Sequence, residues 1–148
     1  MYNIEEFDSA KTKVLKYILY KKRSEGEIRK KFATTFDEDL LEDVIEYLKE
    51  ADYINDKEYI RKTINNFMTL KNLSIRELKV KLLTKGLDKN DIEDYFYENR
   101  EELEDYEKKS AENIFYKKSS SLEEQEIKQY LLKKGYKMDN INIALEEE

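Results

Sequence analysis

The chain has 148 residues, of which 39% are apolar and 42% are charged, and its formal net charge is −6. Cysteine and histidine are both absent, which excludes disulfides and thiolate zinc sites and removes the commonest general base. No apolar run approaches the length of a membrane span or a signal-peptide core, so we expect a cytoplasmic protein that does not enter a membrane.

The composition favours helices throughout the chain. Proline is absent and glycine occurs only three times, whereas lysine, glutamate, leucine and isoleucine are plentiful. Residues of this kind favour helix, whereas the residues that usually separate strands are scarce (glycine) or absent (proline). We therefore expect an all-α fold.

An internal repeat organises the chain. Three segments align, at residues 24–48, 74–96 and 123–145, and each has a glutamate directly before an apolar anchor. The anchors are Ile28, Leu78 and Ile127, which are separated by 50 and 49 residues. Further apolar residues follow each anchor at spacings of three and four, which places them on one face of a helix. A period of this length is typical of tandem helical repeats.

Helix start signals recur with the same period. Ser24-x-x-Glu27 and Ser74-x-x-Glu77 are capping boxes that start the second helix of the first two repeats. The third repeat has Glu123 in place of the serine, which predicts a weaker cap.

Glycines mark the ends of these second helices. In the second and third copies, Gly86 and Gly135 directly follow the second helix, where a left-handed C-cap requires a residue without a β-carbon. The first copy has Thr35 at this place and is one residue shorter at its turn.

An additional helix precedes each pair, over residues 9–22, 56–70 and 102–117. The side chains expected to point inward are Leu15, Ile18 and Leu19, then Ile60, Ile64 and Phe67, and finally Ala111, Ile114 and Phe115. Asp56 is the expected N-cap of the middle helix, with Tyr53 and Ile54 packing beside it.

The sequence therefore predicts three tandem three-helix repeats that resemble helix-turn-helix units. Their predicted limits are 9–55, 56–101 and 102–148. Each unit is too small to bury its core well alone, so we expect the units to stack into an elongated, curved row.

Charge follows the repeat. Residues 10–31 hold nine basic and two acidic residues, whereas residues 32–58 hold two basic and ten acidic residues. The same alternation continues along the chain, so the first two helices of each unit are basic and the third is acidic. A regular stack could align the basic positions along one face, which suits an extended charged partner.

The residue after each anchor is basic in every copy and points away from the buried stripe. These residues and their basic neighbours are the predicted partner-binding residues: Lys21, Lys22, Arg23, Arg29, Lys30, Lys31, Arg76, Lys79, Lys81, Lys128, Lys133 and Lys134. Basic blocks on surface helices are often merely solvated, and that interpretation stays open. The twelve tyrosines are expected mainly to pack rather than to stack on bases.

The sequence contains no phosphate-binding loop, zinc-ligand spacing or nucleophile elbow. Its many carboxylates lack a surrounding polar constellation that would indicate catalysis. We therefore expect neither an enzyme nor a cofactor site.

Four motifs, taken in order, resemble the RecX family over residues 10–146. Arg23-Ser24-Glu25 followed by Glu27-Ile28 resembles the R-x-S-x-x-E-L start of the first RecX repeat, and Tyr53-Ile54-Asn55-Asp56 resembles its G-Y-L-N-D junction. Lys85-Gly86-Leu87 is similar to the second-repeat turn, and Leu131-Leu132-Lys133-Lys134-Gly135-Tyr136, followed by Ile141, to the C-terminal R-G-F/Y block. The chain departs from the family pattern at Thr35, at Asp52 and at Lys71-Asn72-Leu73-Ser74, where the family has glycine. Only a short segment precedes the first unit, so we expect the minimal three-unit form.

The resemblance implies a regulator that binds the groove of the RecA–DNA filament and inhibits filament growth, ATP hydrolysis and strand exchange. The implied partner is the RecA recombinase filament, and any binding of single-stranded or duplex DNA should be weak and salt-dependent. We expect a monomer. Whether the basic face meets acidic RecA surface or DNA phosphates stays open. A helix-turn-helix transcription regulator and a generic helical-repeat scaffold are the alternatives, although acidic third helices argue against base readout.

Overall fold

A computed structural model describes residues 1–146, and helices account for most of that range. The helices are α1 Ile4–Tyr20, α2 Glu25–Phe32, α3 Glu38–Glu50, α4 Asp56–Leu70, α5 Ile75–Thr84, α6 Lys89–Glu98, α7 Arg100–Lys118, α8 Glu124–Lys133 and α9 Met138–Glu146. The described residues include no strand. The predicted all-α fold class is confirmed.

Three separate clusters of buried apolar side chains follow one another along the chain. The first is built from α1, α2 and α3, and its fully buried members include Ile28 and Ile45. The second is built mainly from α4, α5 and α6 around Leu78 and Ile92, and the third from α7, α8 and α9 around Ile127. The tandem arrangement of three-helix units is therefore confirmed, and the apolar anchors lie at the centres of the units.

The limits of the units, 9–55, 56–101 and 102–148, remain a prediction. Helix α7 already begins at Arg100, and its Leu103 packs in the second apolar cluster. Residues 147 and 148, which the predicted third unit includes, lie outside the described range.

Helix α1 differs from its predicted extent of 9–22. It begins at Ile4, because the side chain of Asn3 caps it by accepting a hydrogen bond from the Glu6 backbone N–H at 2.8 Å. The expectation that Leu19 points inward is wrong: Leu19 is 71% exposed, whereas its neighbour Ile18 is buried. Adjacent residues lie about 100° apart around a helix, so only one of this pair fits on the buried stripe.

The prediction that Asp56 caps the middle helix is also wrong. The N-cap is Asn55, whose side chain accepts a hydrogen bond from the Glu58 N–H at 3.1 Å. Asp56 is the first helical residue, and its carboxylate accepts a hydrogen bond from the backbone N–H of Glu25 in the preceding unit. Of the two residues expected beside it, Ile54 is buried and Tyr53 is exposed.

The predicted caps of the second helices are present. Ser24 and Ser74 form complete capping boxes with the glutamates three positions on. Gly86 and Gly135 adopt the left-handed conformation, with φ of 75° and 95°. Asp52, which stands where the family pattern has glycine, has a φ of 64°, so this turn keeps its left-handed geometry without glycine.

None of the helices in residues 1–146 is long and apolar enough to cross a membrane.

Candidate functional site

The first two units meet where the N-terminus of α2 abuts the C-terminus of α5. The Ser24 hydroxyl accepts a hydrogen bond from the Glu27 N–H at 3.0 Å and donates one to the Lys85 carbonyl oxygen at 2.6 Å. Two glycines make this approach possible, because a β-carbon on Gly26 would lie 2.2 Å from the Gly86 carbonyl oxygen. The positive end of one helix dipole thus faces the negative end of the other.

The second and third units meet through the same contact. The Ser74 hydroxyl donates a hydrogen bond to the Lys134 carbonyl oxygen at 2.7 Å, where α5 abuts the end of α8. A β-carbon on Gly135 would lie 2.7 Å from the Cδ atom of Arg76, so the Arg76 side chain crosses this junction. The capping serines therefore join neighbouring units as well as starting their own helices.

A carboxylate from the following unit completes each junction. Asp56 accepts the Glu25 N–H and Glu107 accepts the Ile75 N–H, both at 2.9 Å. Burial raises the pKa of the Asp56 carboxyl. Glu107 is fully buried and also accepts hydrogen bonds from the Lys137 N–H at 3.3 Å and from a side-chain amide.

These carboxylates were not among the predicted site residues. A signal for Glu107 exists in the sequence, because it lies on the buried stripe of α7 with Leu103, Ser110 and Ala111 at spacings of three and four. A charged residue on such a stripe indicates a buried hydrogen-bonded role.

Two residues, Thr35 and Glu123, depart from the pattern that the two junctions share, and they belong to the first and the last unit. Thr35 replaces the junction glycine in the first unit, whose α2 C-terminus has no preceding unit to meet among the described residues. Glu123 replaces the junction serine in the third unit, and its N–H donates to the Glu126 carboxylate at 3.2 Å. The glycine and serine are thus retained where a junction uses them.

A basic groove lies over the first junction. It is lined by Lys30 and Lys31 of α2, by Lys85 and by Tyr17 of α1. The repeat places Arg76, Lys81, Lys133 and Lys134 around the corresponding second junction. Six of the predicted residues, Lys30, Lys31, Arg76, Lys81, Lys133 and Lys134, therefore belong to the two junctions, and Lys85 is an addition that was not predicted.

Each unit holds two cations over one aromatic ring, and we call these groups the cation–aromatic clusters. In the first, Arg23 and Lys31 lie 4.1 and 5.8 Å from the Tyr17 ring centroid. In the second, Lys71 and Lys81 lie 5.9 and 5.4 Å from the Phe67 centroid. In the third, Lys118 and Lys134 lie 4.4 and 5.6 Å from the Tyr130 centroid.

The third cluster exchanges the positions of ring and cation. The ring, Tyr130, lies on the second helix at the position held by Lys81 in the second unit, and the cation Lys118 lies on the first helix. The contact between Lys118 and Tyr130 nevertheless joins the first two helices of the third unit, α7 and α8. A cation therefore lies near an aromatic ring between the first two helices of every unit.

The basic residues that follow the anchors are arranged differently. The Arg29 guanidinium forms ion pairs with Glu25 at 3.0 Å and with Glu42 of α3 at 2.6 Å, and the hydrogen bonds that it donates to Glu42 raise the pKa of Arg29 above its ordinary value. Lys79 lies 3.4 Å from Glu93 of α6. These two cations thus join the second and third helices of their own units.

Lys128 stands at the corresponding position of the third unit. Asn142 of α9 replaces the acidic partner there, and Lys128 forms no ion pair with the residues that the structure describes.

The loop after α1 carries the remaining predicted residues. Lys21 and Lys22 are exposed, whereas Arg23 is half-buried against Tyr17. Partial burial lowers the pKa of Lys22, and the nearby ammonium of Lys62 lowers it further. At the second junction, Asn72 and Asn113 stand in place of these two lysines, and their side chains are hydrogen-bonded at 3.1 Å. The first junction therefore holds more positive charge than the second.

Comparisons with known proteins agree on one family, although no protein-family model matches the chain. Regulatory protein RecX of Finegoldia magna is 37% identical over 97 residues, which cover 65% of this chain but only 47% of that protein. Regulatory protein RecX of Clostridioides difficile is 28% identical across 95% of this chain and 68% of its own length. The crystal structure of RecX from Lactobacillus salivarius superimposes with a TM-score of 0.83 at 25% identity, covering 98% of this chain and 97% of that one.

The chain is similar in sequence and in fold to RecX regulatory proteins, and these matches support the RecX family. The match to the solved RecX structure runs through all three units, so the junctions and the basic groove lie inside the shared RecX fold. A second RecX crystal structure has the same fold, with a TM-score of 0.78 at 20% identity.

Proposed function

We propose that this protein is a non-enzymatic cytoplasmic regulator that binds the RecA–DNA filament. By binding, it inhibits filament extension, ATP hydrolysis and strand exchange, and so modulates recombination, DNA repair and the SOS response. It acts as a monomer and needs no cofactor.

The observation that carries the proposal is the repetition of positive charge along a RecX fold. The cation–aromatic clusters hold cations between the first two helices of every unit, and the basic groove residues lie over the junctions between units. Such a surface offers similar weak contacts at regular intervals. A filament offers matching sites at regular intervals, and several weak contacts made together bind far more tightly than any one of them.

The arrangement favours a filament over a DNA operator site. A transcription regulator of the helix-turn-helix class would place a helix with base-reading side chains in the major groove. Here the third helices carry exposed acidic side chains, among them Glu46 in α3 and Glu98 in α6, which a phosphate backbone would repel. DNA binding by the isolated protein should therefore be weak and should fall steeply with salt.

The best substitutions are in the groove residues rather than in Arg29 or Lys79. Reversing Arg29 or Lys79 would break ion pairs within a unit, so a loss of activity could reflect damage to the fold. Lys30, Lys81 and Lys133 form no ion pair with the described residues, and one or more of them lies at each junction.

A triple substitution, Lys30→Gln, Lys81→Gln and Lys133→Gln, tests the proposal. We expect the variant to need about tenfold more protein for half-maximal inhibition of RecA filament growth, because three cationic contacts are removed together. Filament growth on single-stranded DNA would be followed by light scattering. A triple control, Glu46→Gln, Glu50→Gln and Glu98→Gln, changes exposed charges on the third helices and should inhibit like the unmodified protein. Equal inhibition by the lysine variant and the unmodified protein would refute the role of the grooves.

A further inference from the structure

Two first helices end in large apolar side chains that stand out into solvent. Tyr20 at the end of α1 is 87% exposed, and Leu70 at the end of α4 is 78% exposed. They occupy equivalent positions, 50 residues apart. Leu19, which directly precedes Tyr20, is also exposed and adds apolar surface beside it. We call Tyr20 and Leu70 the apolar tips. The first helix of the third unit ends instead at Lys118.

The apolar tips lie beside the first two cation–aromatic clusters. Tyr20 follows the ring of Tyr17 by three residues, and Leu70 follows the ring of Phe67 by three residues. Residues at this spacing are neighbours on a helix surface. A lysine comes directly after each tip, at Lys21 and Lys71. Each tip is thus an apolar side chain with positive charge around it.

We infer that the apolar tips are anchors for a protein surface with acidic-rimmed apolar pockets that recur at regular intervals, which is the RecA filament if the proposed function holds. The inference rests on that proposed function. It adds that direct apolar contact with the recombinase, and not charge alone, sets the affinity for the filament.

The chemistry of the tips favours a protein over a nucleic acid. A base-binding surface needs aromatic faces on which bases stack. Leucine has no such face, so the property that the two equivalent positions share is apolar bulk. Exposed apolar residues within a polar rim are the usual anchors of protein interfaces, where a few side chains carry most of the binding energy.

The charge around the tips defines the rim of the partner's pocket. The cations of the first two clusters, together with Lys21, would be buried or half-buried next to an anchored tip. Acidic side chains at the mouth of the pocket would compensate this charge, whereas basic ones would oppose binding. Because the tips lie one unit apart, they would make the same kind of contact twice along a partner whose binding sites repeat, as the groove residues would.

A double substitution, Tyr20→Gln and Leu70→Gln, tests the inference. Glutamine keeps helix propensity at both positions and removes the apolar surface. We expect the variant to need about tenfold more protein than the unmodified chain to inhibit RecA filament growth. Its salt-dependent binding to a labelled oligonucleotide without RecA, measured by fluorescence anisotropy, should be unchanged.

The matched control is Tyr53→Gln with Tyr97→Gln. These tyrosines are 50% and 69% exposed but lie outside the first helices, one in the turn after α3 and the other in α6. The control should inhibit like the unmodified chain, and circular dichroism should show the same thermal unfolding for all three proteins. Full inhibition by the tip variant, or equal weakening by the control, would overturn the inference and leave the proposed function standing. A lack of inhibition by the unmodified chain itself would overturn both.

Discussion

Gly26 is a residue at which local preference and tertiary contact oppose each other. It lies in the first turn of α2, where alanine would be the better helix former by about 1 kcal/mol. Its lack of a β-carbon lets the Gly86 carbonyl approach, and the same junction holds the hydrogen bond from Ser24 to Lys85. The tertiary contact therefore decides which residue is tolerated.

Gly26→Ala should destabilise the protein even though it improves helix propensity. A β-carbon 2.2 Å from a carbonyl oxygen must push the two units apart, which we expect to lower the free energy of unfolding by about 1–3 kcal/mol. Urea denaturation followed by circular dichroism would measure the change. Lys30→Ala, in the same helix and exposed, is the control and should change stability by less than about 0.5 kcal/mol. A rise in stability for Gly26→Ala would contradict the close contact between the units.

Glu107 shows the same dependence on a neighbouring unit. Its carboxylate accepts hydrogen bonds from Ile75, Lys137 and Asn140, so every contact it makes requires an acceptor. A glutamine in its place would present an amide group with two donors to at least one of these donors.

Glu107→Gln should therefore lower the free energy of unfolding by about 1–3 kcal/mol, the usual result of leaving a buried polar group unsatisfied. Glu101→Gln, on the exposed surface of the same helix, should leave stability nearly unchanged. Hydrogen exchange of the Ile75 amide gives a local readout and should accelerate only in the Glu107 variant. An unchanged exchange rate would mean that this amide does not depend on the carboxylate.

At the scale of helices, ion pairs join the second and third helices within the first unit. Burial favours a raised pKa for Glu25, but hydrogen bonds from Lys49 and Arg29 outweigh it and bring this pKa below 4.5. A hydrogen bond from Arg29 also lowers the pKa of Glu42. A carboxylate whose pKa is lower in the folded state stabilises the fold above its unfolded value, and this stabilisation is lost as the pH falls below that value.

Stability should therefore decrease as the pH falls below 4.5, and Arg29→Gln should make the decrease smaller. Without the guanidinium, the two carboxyls titrate nearer to their unfolded values, so less stability remains to be lost on acidification. Urea titrations at about pH 6 and about pH 3 would compare the two proteins. Lys62→Gln, which removes a cation from outside this network, is the control. Parallel losses in the Arg29 variant and the unmodified protein would show that the pairs contribute nothing.

The helices of the protein are largely predictable from its sequence, because their signals are local. Apolar spacing, capping boxes and the glycines at 86 and 135 depend on residues that are close in the chain. The junctions are not predictable in this way. Ser24 satisfies a local capping pattern whether or not its hydroxyl reaches Lys85, which is 61 residues away.

The candidate site is predictable only in outline for the same reason. The alternation of charge along the chain identifies the basic helices, but not which cations are already paired. Arg29 and Lys79 find acidic partners on the following helices, and Lys85 joins the groove only through the contact between units. Each of these outcomes depends on how helices cross, which spacing within one helix does not encode.

At the scale of the whole molecule, the same repeat sets both the contacts that hold the units together and the positions of the cations that a partner would meet. The junctions order the units, and the same unit-to-unit spacing sets the distances between the cation–aromatic clusters. The end units lack the glycine and the serine that a further junction of this kind would use, at Thr35 and Glu123. Three units with fixed relative positions can present several weak contacts at once, which is the basis of the proposed action on a filament.

The most direct test of this account is the ATPase activity of RecA on single-stranded DNA as this protein is added. We predict a steep fall in ATP hydrolysis when the protein is far below equal stoichiometry with RecA, because each bound molecule stops the growth of a filament that contains many RecA protomers. Electron microscopy of the same samples should show shorter filaments. Unchanged ATP hydrolysis up to equal stoichiometry, with filaments of normal length, would contradict the proposed function.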